Sequence, residues 1–450
     1  MKRRTFIKNT LQGASSFLVA PLVFASCEDT PVGESKSVIV VGAGISGLAA
    51  AKKLQDNGFT VTVLEAQEKV GGRLRTNRSL GIAFDEGASW IHGTDGNPIT
   101  DLAEEANMTS FFTDDDSRKS YDIGGVVRSA AIYDEAEDNL YGILANLMDS
   151  GSETQSFQTV FNAQYPNYAN DRLYKFFLSS YITFDTGDLD KLSSLLYDEG
   201  EVFGGEERII TNGYDTIANH LANGLSVQLN QRVTKVDYST DKVKITHNNT
   251  ISEADYVIVT VPLGVLKQNI ITFVPELPTT KQTAIEKVGM NCVNKFLLTW
   301  DTAFWDDVQY ISYTPETRDK FNYFVNVKKF HPSVNALMTF AYADYGRQTE
   351  TMSDDQIITE IMAHLKDMYG NNIPNPTNLL RTKWNSNENS FGSYSYTAVG
   401  TKMEHFSDLA ETVNDKLFFA GEHTNEDYFS NAHGAYLSGN REAEKIIDLQ

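Results

Sequence analysis

The fold is decided by residues 38–47, which read Val38-Ile39-Val40-Val41-Gly42-Ala43-Gly44-Ile45-Ser46-Gly47. An apolar strand runs directly into the pattern Gly-x-Gly-x-x-Gly, and helix-forming residues follow. In such a turn Gly42 permits the sharp change of direction, Gly44 lets the backbone approach a pyrophosphate, and Gly47 lets the helix pack closely on the strand. The helix N-terminus adds amide groups and the positive end of its dipole. The stretch therefore predicts a dinucleotide site.

A second strand supports this interpretation. Residues 61–64 read Val-Thr-Val-Leu and end at Glu65, 18 residues after Gly47. A carboxylate at that point can bind the ribose hydroxyls of an adenine dinucleotide. A second glycine-rich turn follows at residues 71–76, Gly-Gly-Arg-Leu-Arg-Thr. Its amides and guanidinium groups suit a second clamp on the pyrophosphate, which nicotinamide enzymes seldom carry.

With these two turns the chain resembles the flavin-containing amine oxidases, in which they hold FAD. Residues 84–93 are similar to the segment that runs under the flavin in polyamine and spermine oxidases, and residues 254–266 are similar to the returning strand of the FAD domain. The most specific match is the run Leu-Phe-Phe-Ala-Gly-Glu-His-Thr at 417–424 with His-Gly-Ala-Tyr-Leu-Ser-Gly at 433–439. It resembles plant polyamine oxidases and lysine-specific histone demethylases. The matching motifs span residues 38–445.

The resemblance implies which residues hold FAD. The Gly-Glu turn would contact the pyrophosphate and ribityl chain, the helix after the His-Gly-Ala turn would face the pyrimidine ring, and Val233 would bind adenine through its backbone. Trp384 would pack beside the flavin ring. Monoamine oxidases bond the flavin through a cysteine in the stretch matching residues 392–394, which here read Gly-Ser-Tyr, so the FAD is expected to be non-covalent. The predicted cofactor-binding residues are Gly42, Gly44, Ile45, Ser46, Gly47, Glu65, Ala66, Gly72, Arg73, Gly87, Ala88, Ser89, Val233, Trp384, Gly421, Glu422, His433, Gly434 and Ala435.

The chemistry implied by the resemblance is the removal of a hydride equivalent from the carbon next to an amine nitrogen. The flavin accepts it, so the protein has to position and desolvate the neutral amine. Lys295 matches the lysine that holds a water against the flavin in this family, and an ordinary strand-edge charge is the alternative. His92 is the polar group of the segment under the flavin, and a structural hydrogen bond in a turn is the alternative. Tyr428 completes the predicted catalytic set, and the predicted substrate-binding residues are Trp90, Tyr394, Tyr396 and Asn431.

The predicted activity is oxidation of a polyamine or another amine to an imine, hydrolysed to an aldehyde, with O2 reduced to H2O2. Asn431 departs from the family, which has an aromatic residue there in plant polyamine oxidases and monoamine oxidases, so the identity of the amine stays open. An L-amino-acid oxidase of the same fold is the first alternative. It needs a guanidinium for the substrate carboxylate and usually has arginine where this chain has Trp90, although Arg381 could substitute. An exported flavoprotein that binds a ligand or transfers electrons is the second alternative.

Composition agrees with a two-domain enzyme. The chain has 450 residues, 41% of them hydrophobic, which exceeds one ordinary core. Its net charge of -22 repels nucleic acid and attracts cations such as polyamines. The alternative is that the charge only promotes solubility. We expect an α/β fold with a Rossmann-type FAD-binding domain formed by residues 37–100, 205–290 and 385–450. Residues 101–204 and 291–384 would form an α+β substrate domain with a mixed sheet and helices. Within the FAD domain a single strand is predicted over residues 227–236. No metal site is predicted, and the oligomeric state is not indicated.

The N-terminus resembles an export signal. Residues 2–8, Lys-Arg-Arg-Thr-Phe-Ile-Lys, form a twin-arginine pattern, and the apolar stretch at 17–25 is too short for a membrane span. Residues 24–27 resemble a lipoprotein cleavage box, so Cys27 is a candidate for lipidation. We expect a signal peptide over 1–27, a tether over 28–36, and a periplasmic or cell-envelope protein that meets the membrane only through the signal or a lipid anchor. Cys292 is the remaining cysteine.

Overall fold

The computed structural model describes residues 35–314 and 316–450. Its central element is a five-stranded sheet in which every neighbouring pair is parallel. Such a sheet is buried on both faces, which accounts for the continuous apolar runs in its strands. Three distant parts of the chain contribute strands, in the spatial order Val227–Gln228, Thr60–Leu64, Ser37–Val41, Tyr256–Val259 and Leu417–Phe419. The arrangement confirms the predicted α/β class, while the domain boundaries stay predictions.

Two helices from opposite ends of the described chain pack together beside this sheet. They are Ile45–Asp56, which follows the first glycine turn, and Ala432–Ile447. The backbones approach so closely that a Cβ on Gly439 would lie 2.0 Å from the Ser46 carbonyl oxygen. Glycine at position 439 therefore allows the last helix to close against the start of the first.

The strand predicted over residues 227–236 is wrong, because the structure divides it. Val227–Gln228 joins the edge of the parallel sheet, and Val233–Asp237 belongs to another sheet. Asn230 lies in the bend between them with φ +57°, a left-handed conformation that asparagine tolerates well. The second sheet has the order Thr250–Ala254, Val243–His247, Val233–Asp237 and Thr272–Val274.

A seven-stranded sheet forms the other half of the molecule. The sheet is mixed: strands Tyr310–Tyr313 and Arg118–Asp122 pair parallel, and all other neighbouring strands in the sheet pair antiparallel. Val293–Trp300 is buried at all eight positions. Helix Asp354–Tyr369 packs its apolar side on the sheet and begins with a capping box formed by Ser353 and Gln356. The spatial order is Asn378–Arg381, Val293–Trp300, Asn335–Tyr342, Lys320–Asn326, Tyr310–Tyr313, Arg118–Asp122 and Val126–Arg128.

A group of helices adjoins this sheet. They are Ala130–Met148, Phe157–Gln164, Pro166–Asn170 and Arg172–Phe177. The last continues as a π-helix, Leu178–Thr183. A π-helix widens the helical turn and commonly lies at functional sites. Residues 184 and 185, which follow it, face the cavity described below.

The remaining elements are short and connect these layers. The strands are Thr76–Asn77, Phe84–Asp85, Trp90–Ile91, Ser110–Phe112, Arg208–Ile210, Gly289–Met290 and Ser395–Tyr396. The helices are Pro98–Glu105, Asp215–Ala222, Leu263–Lys267, Thr279–Lys287, Ala343–Thr349 and Glu404–Ala410, with 3-10 turns at Ile123–Gly125, Val327–Lys329 and Glu422–Thr424. In the part of the chain that the structure describes, none of the helices combines the length and apolar character needed to cross a bilayer. The predicted signal peptide, Cys27 and most of the tether lie outside the described residues.

Candidate active site

A cavity of about 930 Å³ extends from the first glycine turn to the seven-stranded sheet. It collects most of the predicted site residues from across the sequence. Those that line it are Gly42, Gly44, Ile45, Ser46, Glu65, Ala66, Gly72, Arg73, Gly87, Ala88, Ser89, Trp90, His92, Val233, Lys295, Trp384, Tyr394, Gly421, Glu422, Asn431, His433 and Ala435. Four predicted residues are not part of the lining: Gly47, Tyr396, Tyr428 and Gly434.

The tyrosines among these four lie behind the wall instead of forming it. Tyr396 is 4% exposed and packs into the helical group, where its ring lies 2.3 Å from the position of a Cβ on Gly289. Tyr428 stacks on Phe203 with centroids 4.8 Å apart and an interplanar angle of 5°. The predictions of Tyr396 as a substrate-binding residue and Tyr428 as a catalytic residue are therefore corrected: Phe203 lines the cavity, and Tyr428 packs behind it.

The glycines of the first turn differ in their surroundings. Gly42 has φ +110°, which side-chain-bearing residues rarely adopt. No atom lies within 4 Å of a Cβ built on Gly44, so this position opens into the cavity. A Cβ on Gly47 would lie 2.1 Å from the Gly42 carbonyl oxygen, so Gly47 serves the contact between helix and turn. Gly44 also forms a β-bridge with Gly71, which brings the two glycine turns together.

Two helices begin at the cavity wall without a side-chain cap. They are Ile45–Asp56 and Ala432–Ile447, and their first residues line the cavity. The first amides of an α-helix have no partner within the helix, and they carry its positive dipole end. The cavity is therefore served by two sets of amide donors suited to electronegative groups.

Glu65 ends the second parallel strand and is 5% exposed. Its Oε2 accepts a hydrogen bond from the Ala43 amide at 2.6 Å, and its Oε1 accepts one from the Gln67 amide at 2.9 Å. Each carboxylate oxygen has a second lone pair. The side chain is thus fixed by the first turn and can still accept from hydroxyl groups in the cavity.

Arg73 and the buried Glu422 form an ion pair that joins the second glycine turn to the C-terminal Gly-Glu turn. Arg73 Nη1 donates to Glu422 Oε1 at 2.8 Å and to the Ser393 carbonyl oxygen at 2.8 Å. Glu422 Oε2 accepts from Ser395 Oγ at 2.5 Å and from the Ser430 amide at 2.9 Å. Burial alone would raise the pKa of Glu422, but the positive charge of Arg73 and these hydrogen bonds hold it below its ordinary value. The sequence assigned both residues to the cofactor, and their pairing with each other was not predicted.

Lys295 is held deep in the wall by residues 85–89. Its ammonium donates to the Asp85 carbonyl oxygen at 3.0 Å, to the Gly87 carbonyl oxygen and to Ser89 Oγ. It lies 5.8 Å from the centroid of the Trp90 ring. Burial lowers the pKa of Lys295, against the opposing charges of Asp85 and Glu86. An amine held near the boundary between its two charge states can exchange a proton at moderate pH.

His92 forms a close pair with Glu207, since its Nδ1 lies 2.7 Å from Glu207 Oε2. Both residues line the cavity. His433 meets the rings of Phe203 and Tyr428 edge-on, each at a centroid distance of 5.1 Å. The imidazole of His92 is therefore oriented by a carboxylate, and that of His433 by two aromatic rings.

Sequence reasoning missed a set of acidic and aromatic side chains that line the cavity. Most of them come from residues 138–203 of the predicted substrate domain, while Glu207 and Asp427 come from ranges assigned to the FAD-binding domain, and no local sequence pattern marks any of them. Their shared property is that they line the same cavity as Lys295. The acids are Asp138, Asp185, Glu199, Glu201, Glu207 and Asp427, and the rings are Tyr141, Phe184 and Phe203.

Comparison with known proteins identifies the family. Residues 45–447 match the model of the flavin containing amine oxidoreductases. The chain belongs to this family. It is 34% identical over 446 residues to polyamine oxidase 4 of Oryza sativa subsp. japonica, covering 94% of this chain and 90% of the relative. It is 33% identical to probable polyamine oxidase 4 of Arabidopsis thaliana, covering 90% and 85%.

The family also includes more distant relatives with other printed roles. Lysine-specific histone demethylase 1 homolog 2 of Arabidopsis thaliana is 31% identical, covering 97% of this chain and 61% of that protein. A solved structure of putrescine oxidase bound to putrescine has a TM-score of 0.77 and 20% identity, covering 92% of this chain and 99% of that one. The structural likeness confirms the fold.

Membership makes the protein an FAD-dependent amine oxidase that acts on a small-molecule amine and O2. The residues present fit this cofactor on physical grounds. Gly44 leaves open space at the first turn, both uncapped helix starts offer amides, and Glu65 keeps lone pairs for hydroxyl groups. The family prediction, the FAD prediction and the enzyme class are thereby confirmed.

Proposed function

We propose that the protein oxidises a diamine or polyamine, converting the carbon next to a nitrogen to an imine that water hydrolyses to an aldehyde, while O2 becomes H2O2. The observation that carries this proposal is the chemistry of the cavity wall, which combines carboxylates with aromatic rings, as where the charges of Asp185 and Asp138 act on Tyr141. Carboxylates attract ammonium groups, and ring faces attract cations through their quadrupole. A chain with several ammonium groups matches such a wall. The polyamine oxidases among the relatives support the same substrate class.

The chain's own residues would prepare the amine for reaction. Bound FAD supplies the acceptor for the hydride equivalent. Trp90 and Tyr394 would exclude water on either side of the amine, and His92, oriented by Glu207, would hydrogen-bond its nitrogen. Lys295, with its lowered pKa, would hold or move a proton at Nζ beside residues 85–89. These roles keep the substrate nitrogen neutral and fixed, as hydride removal requires.

Oxidation of an L-amino acid is disfavoured by where the arginines lie. Among the described residues, Arg73 and Arg232 are the arginines that line the cavity. Arg73 is paired with Glu422, and Arg232 Nη2 donates to Glu388 at 2.6 Å and to Asn389 at 2.8 Å. Arg381, which could have replaced the missing guanidinium, donates to the carbonyl oxygens of residues 349 and 352, each at 2.9 Å. It lies outside the lining.

The FAD is proposed to be non-covalent. Within the described residues the cysteine is Cys292, which is buried and lies 3.7 Å from Glu350 Oε1 and 3.5 Å from Asn294 Nδ2. It is not part of the cavity lining. Precipitation with acid should therefore release all of the flavin into the supernatant. Export by the twin-arginine route with lipidation at Cys27 also remains our proposal.

The function is tested with the purified holoprotein under anaerobic conditions. It is mixed in turn with spermine, spermidine, putrescine, phenylethylamine and L-leucine, and loss of the oxidised flavin band is followed, after which air is admitted and peroxide is assayed. We expect rapid bleaching by at least one polyamine and stoichiometric peroxide. Bleaching by L-leucine alone would move the assignment to an amino-acid oxidase. No bleaching by any amine would overturn oxidase activity.

A further inference from the structure

Asp85 connects Lys295 to a buried carboxylate. Its carbonyl oxygen accepts a hydrogen bond from Lys295 Nζ at 3.0 Å. Its side-chain Oδ1 accepts from Thr76 Oγ1 at 2.5 Å and from the Tyr214 amide at 2.9 Å. Asp85 also pairs with Thr76 in a short antiparallel ladder, which fixes its backbone. The residue that holds the Lys295 ammonium through its backbone therefore carries a carboxylate that is itself firmly anchored.

The same hydrogen bonds give Asp85 a structural task. Helix Asp215–Ala222 begins without a side-chain cap from its own N-cap residue, Tyr214. The Asp85 carboxylate accepts from the Tyr214 amide instead, and Thr76 Oγ1 accepts from the Asp215 amide at 3.3 Å. Asparagine and aspartate serve about equally well as acceptors at the start of a helix. Capping this helix therefore does not require the negative charge of Asp85.

The charge of Asp85 differs from that of its neighbour Glu86. Both carboxylates act on the Lys295 ammonium. Glu86 is already paired, because Arg75 Nε lies 2.6 Å from its Oε2. The Asp85 carboxylate accepts from a hydroxyl and an amide, which are neutral donors. Of these two carboxylates, Asp85 is thus the one whose charge is left to balance the ammonium.

The other groups that face Asp85 do not replace this balance. Arg78 and Asp215 both act on the Asp85 carboxylate. They form an ion pair with each other, with Arg78 Nη2 lying 2.7 Å from Asp215 Oδ1, so their effects at Asp85 oppose each other. The Tyr214 hydroxyl stays neutral, because burial raises its pKa.

Burial and mutual attraction act on Asp85 and Lys295 in opposite directions. The two residues are 5% and 6% exposed. Burial raises the pKa of Asp85 and lowers the pKa of Lys295, whereas the attraction between their charges lowers the first pKa and raises the second. Each charge therefore stabilises the other where little water is present to do so.

We propose that Asp85 is a positioning residue of the oxidase, whose buried carboxylate keeps Lys295 charged and seated on the carbonyl oxygens of residues 85 and 87. The inference rests on the proton role already proposed for Lys295. Without the carboxylate, the ammonium keeps the cost of its burial but loses the opposing charge, so it releases its proton at lower pH. Asp85 thereby sets the pH range in which Lys295 carries a proton.

The first test follows the reoxidation by O2 of the holoenzyme reduced with dithionite, which does not depend on the identity of the amine. Reduction of O2 builds negative charge that a cation in the cavity stabilises, so the rate reports the charge of Lys295. Across the pH range that spans the ordinary and the lowered pKa of Lys295, the wild type should show an inflection that Lys295→Met abolishes. In Asp85→Asn the inflection should move to lower pH by about one unit. Asp241→Asn, which removes a charge from an exposed bend outside the cavity lining, should leave it in place.

The second test measures stability and needs no turnover. Asp85→Asn should lower the urea midpoint of the wild-type holoenzyme. In the Lys295→Met background it should leave the midpoint unchanged or raise it, because no buried ammonium there needs the carboxylate. Loss of a helix cap would lower the midpoint equally in both backgrounds. Tryptophan fluorescence reads the midpoint, so a variant that retains less flavin is still measured.

The outcomes separate the inference from the role on which it rests. An unmoved inflection in Asp85→Asn, or equal stability losses in both backgrounds, would reduce Asp85 to a helix cap and overturn the inference while the role of Lys295 stands. An equal shift in Asp241→Asn would overturn it as an effect of net charge. If Lys295→Met keeps the inflection, the role of Lys295 and the inference both fall. The substrate class is decided separately, by the anaerobic mixing with amines.

Discussion

Replacing Glu422 should show how much the Arg73–Glu422 pair contributes to stability. The carboxylate is 3% exposed and accepts three hydrogen bonds of 2.9 Å or less, from Arg73, Ser395 and Ser430. Glu422→Ala leaves a guanidinium and two further donors without this acceptor. Breaking a buried ion pair costs about 3–5 kcal/mol. Because the Arg73 side chain is 23% exposed and water can reach part of it, we expect about 3 kcal/mol.

Glu422→Gln provides the graded comparison. Its amide oxygen can still accept from Arg73, but its NH2 group meets the Ser430 amide, so two donors face each other. We expect a loss of about 2 kcal/mol, the size of one hydrogen bond to a charged group. Urea unfolding of the holoprotein, followed by the fluorescence of released flavin, measures both variants. Glu422→Gln, Arg73→Met and the variant with both changes form a double-mutant cycle with the wild type, for which we expect a coupling free energy of about 1.5–3 kcal/mol.

The pH dependence gives this prediction its sharpest test. The folded-state pKa of Glu422 lies below its ordinary value of 4.5, so its contribution is fully present above that pH and is lost as the pH falls through the folded pKa. The stability difference between wild type and Glu422→Gln should therefore shrink in acid. A coupling energy near zero, or a difference that grows as the pH falls, would refute the reasoning.

Three further outcomes are expected. Lys295→Met should slow turnover at least about 100-fold, as for loss of a proton-transfer group. It should also remove any inflection near pH 8 from the pH profile of kcat, since burial lowers the pKa of Lys295 to about 8. An unchanged rate with a good substrate would show that Lys295 has no catalytic role. Gly44→Ala should fold, because no protein atom lies within 4 Å of the new Cβ, but it should retain less FAD because that methyl group enters the cavity. Gly47→Ala should instead lose stability, because its Cβ would lie 2.1 Å from the Gly42 carbonyl oxygen. The flavin-to-protein absorbance ratio measures the first effect, and the urea midpoint measures the second. Burial lowers the pKa of His423 from 6.5 to about 4. The contribution of the neutral imidazole to stability is therefore present above pH 6.5 and falls by about 2 kcal/mol between pH 6.5 and 5. His423→Gln should reduce the slope of the unfolding free energy, measured in urea, over this pH range, and an equal slope in the variant would contradict the prediction.

The cofactor end of the cavity was predictable from sequence because its parts are local. A strand, a glycine turn and a helix follow one another within residues 37–56, and each property that matters there is carried by one residue type at one spacing. The same holds for Glu65 at the end of the next strand.

The amine end was not predictable, because it depends on packing between distant segments. Asp185 reaches the cavity through a π-helix, which follows no sequence period, and Tyr396 is turned away from the cavity although it lies two residues after Tyr394. The pairing of Arg73 with Glu422 joins positions 349 residues apart. The division of residues 227–236 depended on the left-handed turn at Asn230, which the apolar pattern does not reveal.

The contact between the first and last helices has a consequence for biosynthesis. Residues 42–47 leave the ribosome long before the helix that closes on them, Ala432–Ile447. The wall that encloses the flavin also needs Gly421 and Glu422. A nascent chain thus cannot retain its cofactor until Ala432–Ile447 has been made, and flavin shortage should accumulate unloaded chains that proteases can distinguish from the loaded enzyme.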